Sequence, residues 1–188
     1  MGFQRVQRLL AMALLSAGVY LNRASAQVLP PEAQLAGDTW LLKACDIGEQ
    51  DQLSAVLRKF KPQFEIFFLN ALNNGPSPQL LMENEAAASR RFDLRQEALK
   101  TGKGLGLSEA DLQAARMTTR EQYLAHERED FVVSYKSRAV GGLGVVAGEK
   151  GKTALRALAA DQNSPLQGSA QQALLKLQTA SGRANRKK

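Results

Sequence analysis

Residues 144–158 read GVVAGEKGKTALRAL, and Gly151-Lys152-Thr153 at its centre is the ending of a phosphate-binding loop. A phosphate loop needs G-x-x-x-x-G-K-[ST], because its first glycine turns the chain so that backbone N–H groups can wrap the phosphates. Five positions before Gly151 stands Val146, not glycine, and no apolar strand ending in an aspartate is available to hold magnesium. The glycine-rich segment before it, AVGGLGVV, also reads as a helix, with Ala139, Leu143 and Val146 at i, i+4 and i+7. The stretch is therefore expected to be a junction between two helices. That reading removes the nucleotide-binding α/β alternative and points to an all-α chain.

Working outward, helical patterns fill most of the sequence. AQLAGDTWLLKAC and EQDQLSAVLRKF are two, separated by Asp46-Ile47-Gly48, and Leu53, Val56 and Leu57 share one face of the second. Pro62 ends that helix and opens the next, in which Phe64, Phe67, Phe68 and Leu72 form the apolar face, so FEIFF is a core helix and not a strand. Asn73-Asn74-Gly75 closes it. Ser77-Pro78 starts a helix running to about residue 100, with Ser77 as N-cap and proline where no N–H is needed. After TGKGLGL, Ser108 is expected to cap the N–H near Asp111, with Leu107 and Leu112 as a hydrophobic staple. One helix is then expected over residues 109–140, with Met117, Leu124, Phe131 and Tyr135 as its stripe. TGKGLGL follows a helix and not a strand, so its glycines read as a C-cap and a turn, not as an anion cradle.

The charge of +7 resides at the two ends. Arg5, Arg8 and Arg23 near the N-terminus and Arg183, Arg186, Lys187 and Lys188 at the C-terminus account for all of it, so the body is neutral and offers no footprint for a nucleic-acid backbone. The N-terminal order is cationic segment, uncharged apolar run over residues 9–21, then Ala24-Ser25-Ala26, which is the pattern of a secretory signal peptide cleaved to leave Gln27 first. A run of that length is short of the ~20 residues of a membrane-spanning helix. The expected organisation is a signal peptide at 1–26, an extended leader at 27–31, one α-helical domain at 32–180 and a basic disordered tail at 181–188. Export to the periplasm or exterior follows, with at most weak contact between the tail and anionic surfaces. The alternative is an envelope factor anchored by an uncleaved N-terminal segment.

Residues suited to catalysis are sparse. Cys45 is the single cysteine and His126 the single histidine, so a disulfide within the chain is excluded and a Cys–His dyad is the only nucleophile pair on offer. Cys45 within LLKAC reads as a small buried hydrophobe. Glu121, His126, Glu127, Glu129 and Asp130 carry groups that could bind a metal, but the H-E-x-x-H spacing is absent. ERED reads as a solvated face with Arg120 and Arg128 as partners. Arg90, Arg91 and Arg95 could attract an acidic partner, were Glu85, Asp93 and Glu97 not close enough to neutralise them. Trp40, flanked by Leu41 and Leu42, reads as core. No catalytic residue, cofactor or metal is assigned, and the rival to a binding role is a small exported enzyme or metal-binding protein using Cys45, His126 or the Glu127/Asp130 cluster.

The C-terminal region is the most patterned. A helix ending at residue 160 with Leu155, Leu158 and Ala159 on one face is followed by Asp161-Gln162-Asn163, then by Ser164-Pro165-Leu166-Gln167, which has the form of an N-cap, a first-turn proline and a capping box. The next helix aligns Ala170, Ala173, Leu174 and Leu177. KTALRALAADQNSPLQGSAQQALLKL resembles a HEAT or HEAT-like repeat, matched at Leu155, Leu158, Ala159, Asp161, Ala170, Ala173, Leu174 and Leu177. The segment SRAVGGLGVVAG is similar to the second helix of a preceding unit, so the resemblance spans about residues 135–178, with the hairpin itself at 149–178. It implies an α-solenoid segment used for protein contacts without catalysis. The helices over 78–100 and 109–140 are too long for regular repeats. The expected architecture is all-α, antiparallel helical hairpins packed as an α-solenoid-like or irregular bundle, acting as a protein-binding or scaffolding module.

Overall fold

A computed structural model describes residues 29–43, 47–101 and 108–185. The expected signal segment with Ala24, Ala26 and Gln27, together with Cys45, Leu107 and the last three residues of the tail, lies outside the described residues. Those described form eight α-helices and no strand, so the chain is all-α. In order they are α1 (Pro31–Leu42), α2 (Ile47–Lys59), α3 (Lys61–Asn74), α4 (Pro78–Thr101), α5 (Glu109–Met117), α6 (Arg120–Val146), α7 (Glu149–Ala160) and α8 (Gln167–Asn185).

The core is built on α3 and the second half of α6. Phe64 and Phe68 are fully buried, with ring centroids 5.8 Å apart, and Phe67 meets Phe68 edge-on at 5.3 Å. Burying side chains of this size stabilises by about 1.5–3 kcal/mol each. Opposite them Tyr135, Ala139, Val140, Leu143 and Val146 form the buried stripe of α6. Between these residues Gly142 leaves the surface of α6 bare: a β-carbon there would lie 2.5 Å from the Phe68 ring. The close approach of α3 to α6 therefore depends on that glycine. Trp40 closes the core from α1, donating its indole N–H to the Arg138 carbonyl at 2.8 Å, while Arg138 Nη1 donates to the Leu41 carbonyl at 3.0 Å. Leu57 of α2, Leu155 of α7, and Ala170 and Ala173 of α8 complete the same cluster.

Helix α4 stands apart from that core, reaching its edge only through Leu80. It packs chiefly along the first half of α6 and against α5, burying Ala88, Leu99 and Ala115. Phe92 and Tyr123 meet at 5.4 Å. At 24 and 27 residues, α4 and α6 are about 36 and 40 Å long. The molecule is thus a helical body with a two-helix arm, α6 being shared by both.

Helix boundaries confirm most of the punctuation. Gly75 has φ 71° and its N–H donates to the Ala71 carbonyl, closing α3 as the Asn-Asn-Gly signal implies. Ser77 and Ser108 accept from Leu80 and Asp111 N–H respectively. The single helix expected over residues 109–140 is instead two. Thr119 and Gln122 form a complete capping box, with Gln122 N–H donating to the Thr119 hydroxyl and Thr119 N–H to the Gln122 side chain. This restart makes α6 a separate helix and leaves Met117, expected on the core stripe, 75% exposed. Helix α8 also runs on to Asn185, beyond the expected boundary at residue 180, because Ala180 and Ala184 favour continuation and no proline stops it.

Candidate functional site

Helix α7 begins at the stretch that posed the phosphate question, and it has no side-chain cap of its own. Two N–H groups at this helix start are satisfied from α3. Glu65 Oε1 accepts from Gly148 N–H at 2.8 Å and from Gly151 N–H at 2.7 Å, across 83 and 86 positions of sequence. Both glycines make room for it: a β-carbon would stand 2.8 Å from Glu65 Oε2 at residue 148, and 3.0 Å from Glu65 Oε1 at residue 151. The positive end of the helix dipole and two charge-assisted hydrogen bonds make this a favourable place for a carboxylate. Lys152 and Thr153 are likewise engaged. Lys152 Nζ donates to Glu149 Oε1 at 2.9 Å, a bond that lowers the Glu149 pKa, and the Thr153 hydroxyl donates to the Glu149 carbonyl at 2.9 Å. Gly151-Lys152-Thr153 thus forms a helix start clamped by the protein's own anion.

The hairpin residues divide by depth. Leu155, Ala170 and Ala173 are buried in the main core, while Leu158, Ala159, Leu174 and Leu177 pack partly buried against it. Asp161 accepts from Asn163 N–H at 3.0 Å and shapes the turn. The capping box expected at Ser164 and Gln167 does not form. Ser164 accepts from Leu166 N–H, whereas the Gln167 amide reaches back to the Ala159 carbonyl at 3.4 Å and covers the C-terminal end of α7. The residues between Ser164 and Gln167 make turns before α8 begins, which carries the Gln167 side chain away from the Ser164 N–H. Helix α6 packs on α8, where the Ser137 and Ser169 hydroxyls share a 2.7 Å hydrogen bond.

The charged residues of α6 face different partners. His126 Nε2 lies 3.3 Å from Asp130 Oδ2, with side chains 71% and 66% exposed. Glu127 turns instead toward α4, where it pairs with Arg91; that hydrogen bond holds its carboxyl below the usual range. Glu127 and Asp130 therefore do not converge on one site. Among the described residues no group of three or more His, Cys, Asp or Glu side chains is placed to hold a metal ion. Arg120, expected to serve the ERED segment, bridges to α4: its guanidinium donates to both Asp93 oxygens at 3.2 Å and to the Ser89 hydroxyl, and lies over the Phe92 ring at 5.8 Å. Arg95 lies 6.0 Å from the Tyr123 ring. Arg91 and Arg95, two of the three arginines that could have attracted an acidic partner, thus serve the arm's own seam.

The arm also holds large apolar side chains out among its exposed charged residues. Leu94 is 72%, Met117 75% and Met82 65% exposed. Leu94 adjoins Asp93 and Met117 precedes Arg120 by three residues, so the Asp93–Arg120 bridge sets both at the same level of the arm. Sequence reasoning placed Met117 on the apolar stripe and passed over Leu94; the exposure of Met117 follows from the break at Thr118–Thr119, whose capping box is the local signal that reveals it. Glu65 had no such signal, since its partners lie in another helix.

The fold and these sites define an all-α protein in which α4 and the first half of α6 are joined by a polar seam. No protein-family model, curated protein or solved structure matches the chain.

Proposed function

We propose that this protein is an exported, non-enzymatic helical module that works by binding another protein, with α7 and α8 as its HEAT-like hairpin. The observation that carries the reading is the exposure of Leu94 on α4 and of Met117 at the end of α5, at the level where Arg120 bridges to Asp93. Large apolar side chains held out from helices serve as anchors in helix-based recognition surfaces. The functional groups the sequence offers support the same reading: Glu65 is committed to α7, Glu127 to Arg91, and His126 with Asp130 stands on an open face. Among the described residues no helix is long and apolar enough to cross a membrane.

The test compares two sets of variants in the native host. Leu94→Asp combined with Met117→Asp is expected to abolish the native phenotype while the melting temperature stays unchanged. Cys45→Ala and His126→Ala are expected to leave that phenotype intact. Loss of the phenotype in either of the latter, with the fold preserved, would overturn the reading in favour of chemistry. Export is checked by intact mass: a mature chain beginning at Gln27 is expected, and one beginning at Met1 refutes cleavage.

A further inference from the structure

A second feature lies at the other end of the α4–α6 pair. Helices α1, α3 and α6, the turn after α3 and the start of α4 line an open cleft of about 500 Å³. Its walls include Phe67, Ala71, Leu80 and the ring of Tyr135; its polar lining includes Asp38, Asn70 and Asn74. Asp38 is the one charged side chain among the lining residues. Its carboxylate accepts from the Gln34 amide at 3.1 and 3.2 Å, which leaves further lone pairs free, since a carboxylate offers about four acceptor positions. Tyr135 is 9% exposed, lines the cleft, and its hydroxyl makes no hydrogen bond among the described residues. Burial, and then the negative charge of Asp38, push its ionisation above the ordinary tyrosine range, so the hydroxyl stays protonated and can still accept. Lys136 rests beside Gly75 at the rim but forms no ion pair with Asp38 among the described residues.

A hydroxyl without a protein partner and a carboxylate with free lone pairs, both lining an apolar-walled cleft, suit a ligand that donates hydrogen bonds and carries positive charge. We propose that this cleft binds a protonated primary amine on an alkyl chain. The three N–H donors of an ammonium match Asp38, the Tyr135 hydroxyl and the carbonyl oxygens of Asn70 or Asn74. The alkyl chain lies along Leu80 and Ala71, and the Phe67 and Tyr135 rings add cation–π attraction. An anion is disfavoured by Asp38. The amine has two sources of the same chemistry, a free small molecule or a lysine side chain of a bound protein, and the inference does not depend on the protein-binding reading above.

The test titrates the full chain with n-butylammonium, with 1-butanol as the neutral counterpart, and with Nα-acetyl-lysine N-methylamide, following the Asn70 and Asn74 side-chain amides by 1H–15N spectra. Saturable shifts with butylammonium and none with butanol are expected. Asp38→Asn should weaken binding about tenfold, the loss of one charged hydrogen bond. Tyr135→Phe should weaken it a few-fold with the fold unchanged, and serves alone if Asp38→Asn proves unstable. Saturation by the lysine amide as well assigns the site to a protein side chain; saturation by butylammonium alone assigns it to a free amine. The proposal is overturned if neither amine saturates, if butanol binds equally, or if both variants bind as the wild type does.

Discussion

Removing the Glu65 carboxylate tests whether the helix junction at residues 148–151 is held from α3. Two N–H groups donate to Oε1 at 2.8 and 2.7 Å in a partly buried site. Hydrogen bonds to charged groups contribute about 1.5–3 kcal/mol each, and a carboxylate at a helix N-terminus about 0.3–1 kcal/mol more. Water replaces part of this in a half-open site, so Glu65→Ala is expected to cost about 2–3 kcal/mol overall. That corresponds to a fall in Tm of about 5–10 °C for a chain of this size. Glu65→Gln keeps an acceptor and loses the charge, and should cost about 1 kcal/mol. Urea unfolding followed by far-UV dichroism, and by the fluorescence of the single tryptophan, Trp40, measures both. The glycines supply an independent arm. Gly→Ala inside a helix ordinarily gains about 1 kcal/mol, but at residue 151 the new β-carbon would sit 2.7 Å from that of Ala147 and 3.0 Å from Glu65 Oε1. Gly151→Ala should therefore destabilise, and less so when Glu65 is already alanine. A Glu65→Ala midpoint within about 0.5 kcal/mol of wild type, the scatter of ordinary surface changes, would refute the clamp.

Gly142→Ala drives a β-carbon to within 2.5 Å of the Phe68 ring and should cost about 2–3 kcal/mol in chemical denaturation, with partial recovery when Phe68 is made leucine. Thr119→Ala removes the cap that restarts the chain at α6 and should cost about 1 kcal/mol; faster amide exchange confined to the first turn of α6 is the expected sign. The Arg91–Glu127 pair predicts acid sensitivity in the arm. Because the folded state lowers the Glu127 pKa through its hydrogen bond with Arg91, its contribution is present above the unfolded-state carboxylate value and is lost as pH falls through the folded value. Glu127→Gln should accordingly flatten the acid limb of a Tm-against-pH profile, and an unchanged limb would contradict the assignment.

Local chemistry in the sequence accounts for much of this fold. The Asn73-Asn74-Gly75 stop, the Ser77-Pro78 start and the Ser108 cap act within a few residues, so each could be read directly. The apolar spacing of Phe64, Phe68 and Leu72, and of Ala139, Leu143 and Val146, similarly declares which faces meet. The Thr119 restart was obscured because the seven-residue repeat from Met117 to Phe131 runs straight through it. Periodicity continues across a two-residue break that keeps helical phase poorly defined, and only the cap chemistry of Thr119 and Gln122 distinguishes one long helix from two. The remaining sites depend on separation. Glu65 meets Gly148 and Gly151 across more than eighty positions, and Asp38 shares a cleft with Tyr135 because α1 and α6 pack side by side. Neither pairing leaves a pattern in the local sequence, except that glycine occupies both places where Glu65 must approach.

The measurement that bears most directly on the protein-binding proposal is site-specific photocrosslinking of the full chain in its native host. A photoreactive side chain placed at Leu94 or at Met117 is expected to give one discrete adduct of the same mass from both positions. The same group at Arg156, on the exposed side of α7, should give none. Adducts absent from both arm positions, or equally abundant from Arg156, would contradict the claim that this protein acts through the apolar surface of its arm.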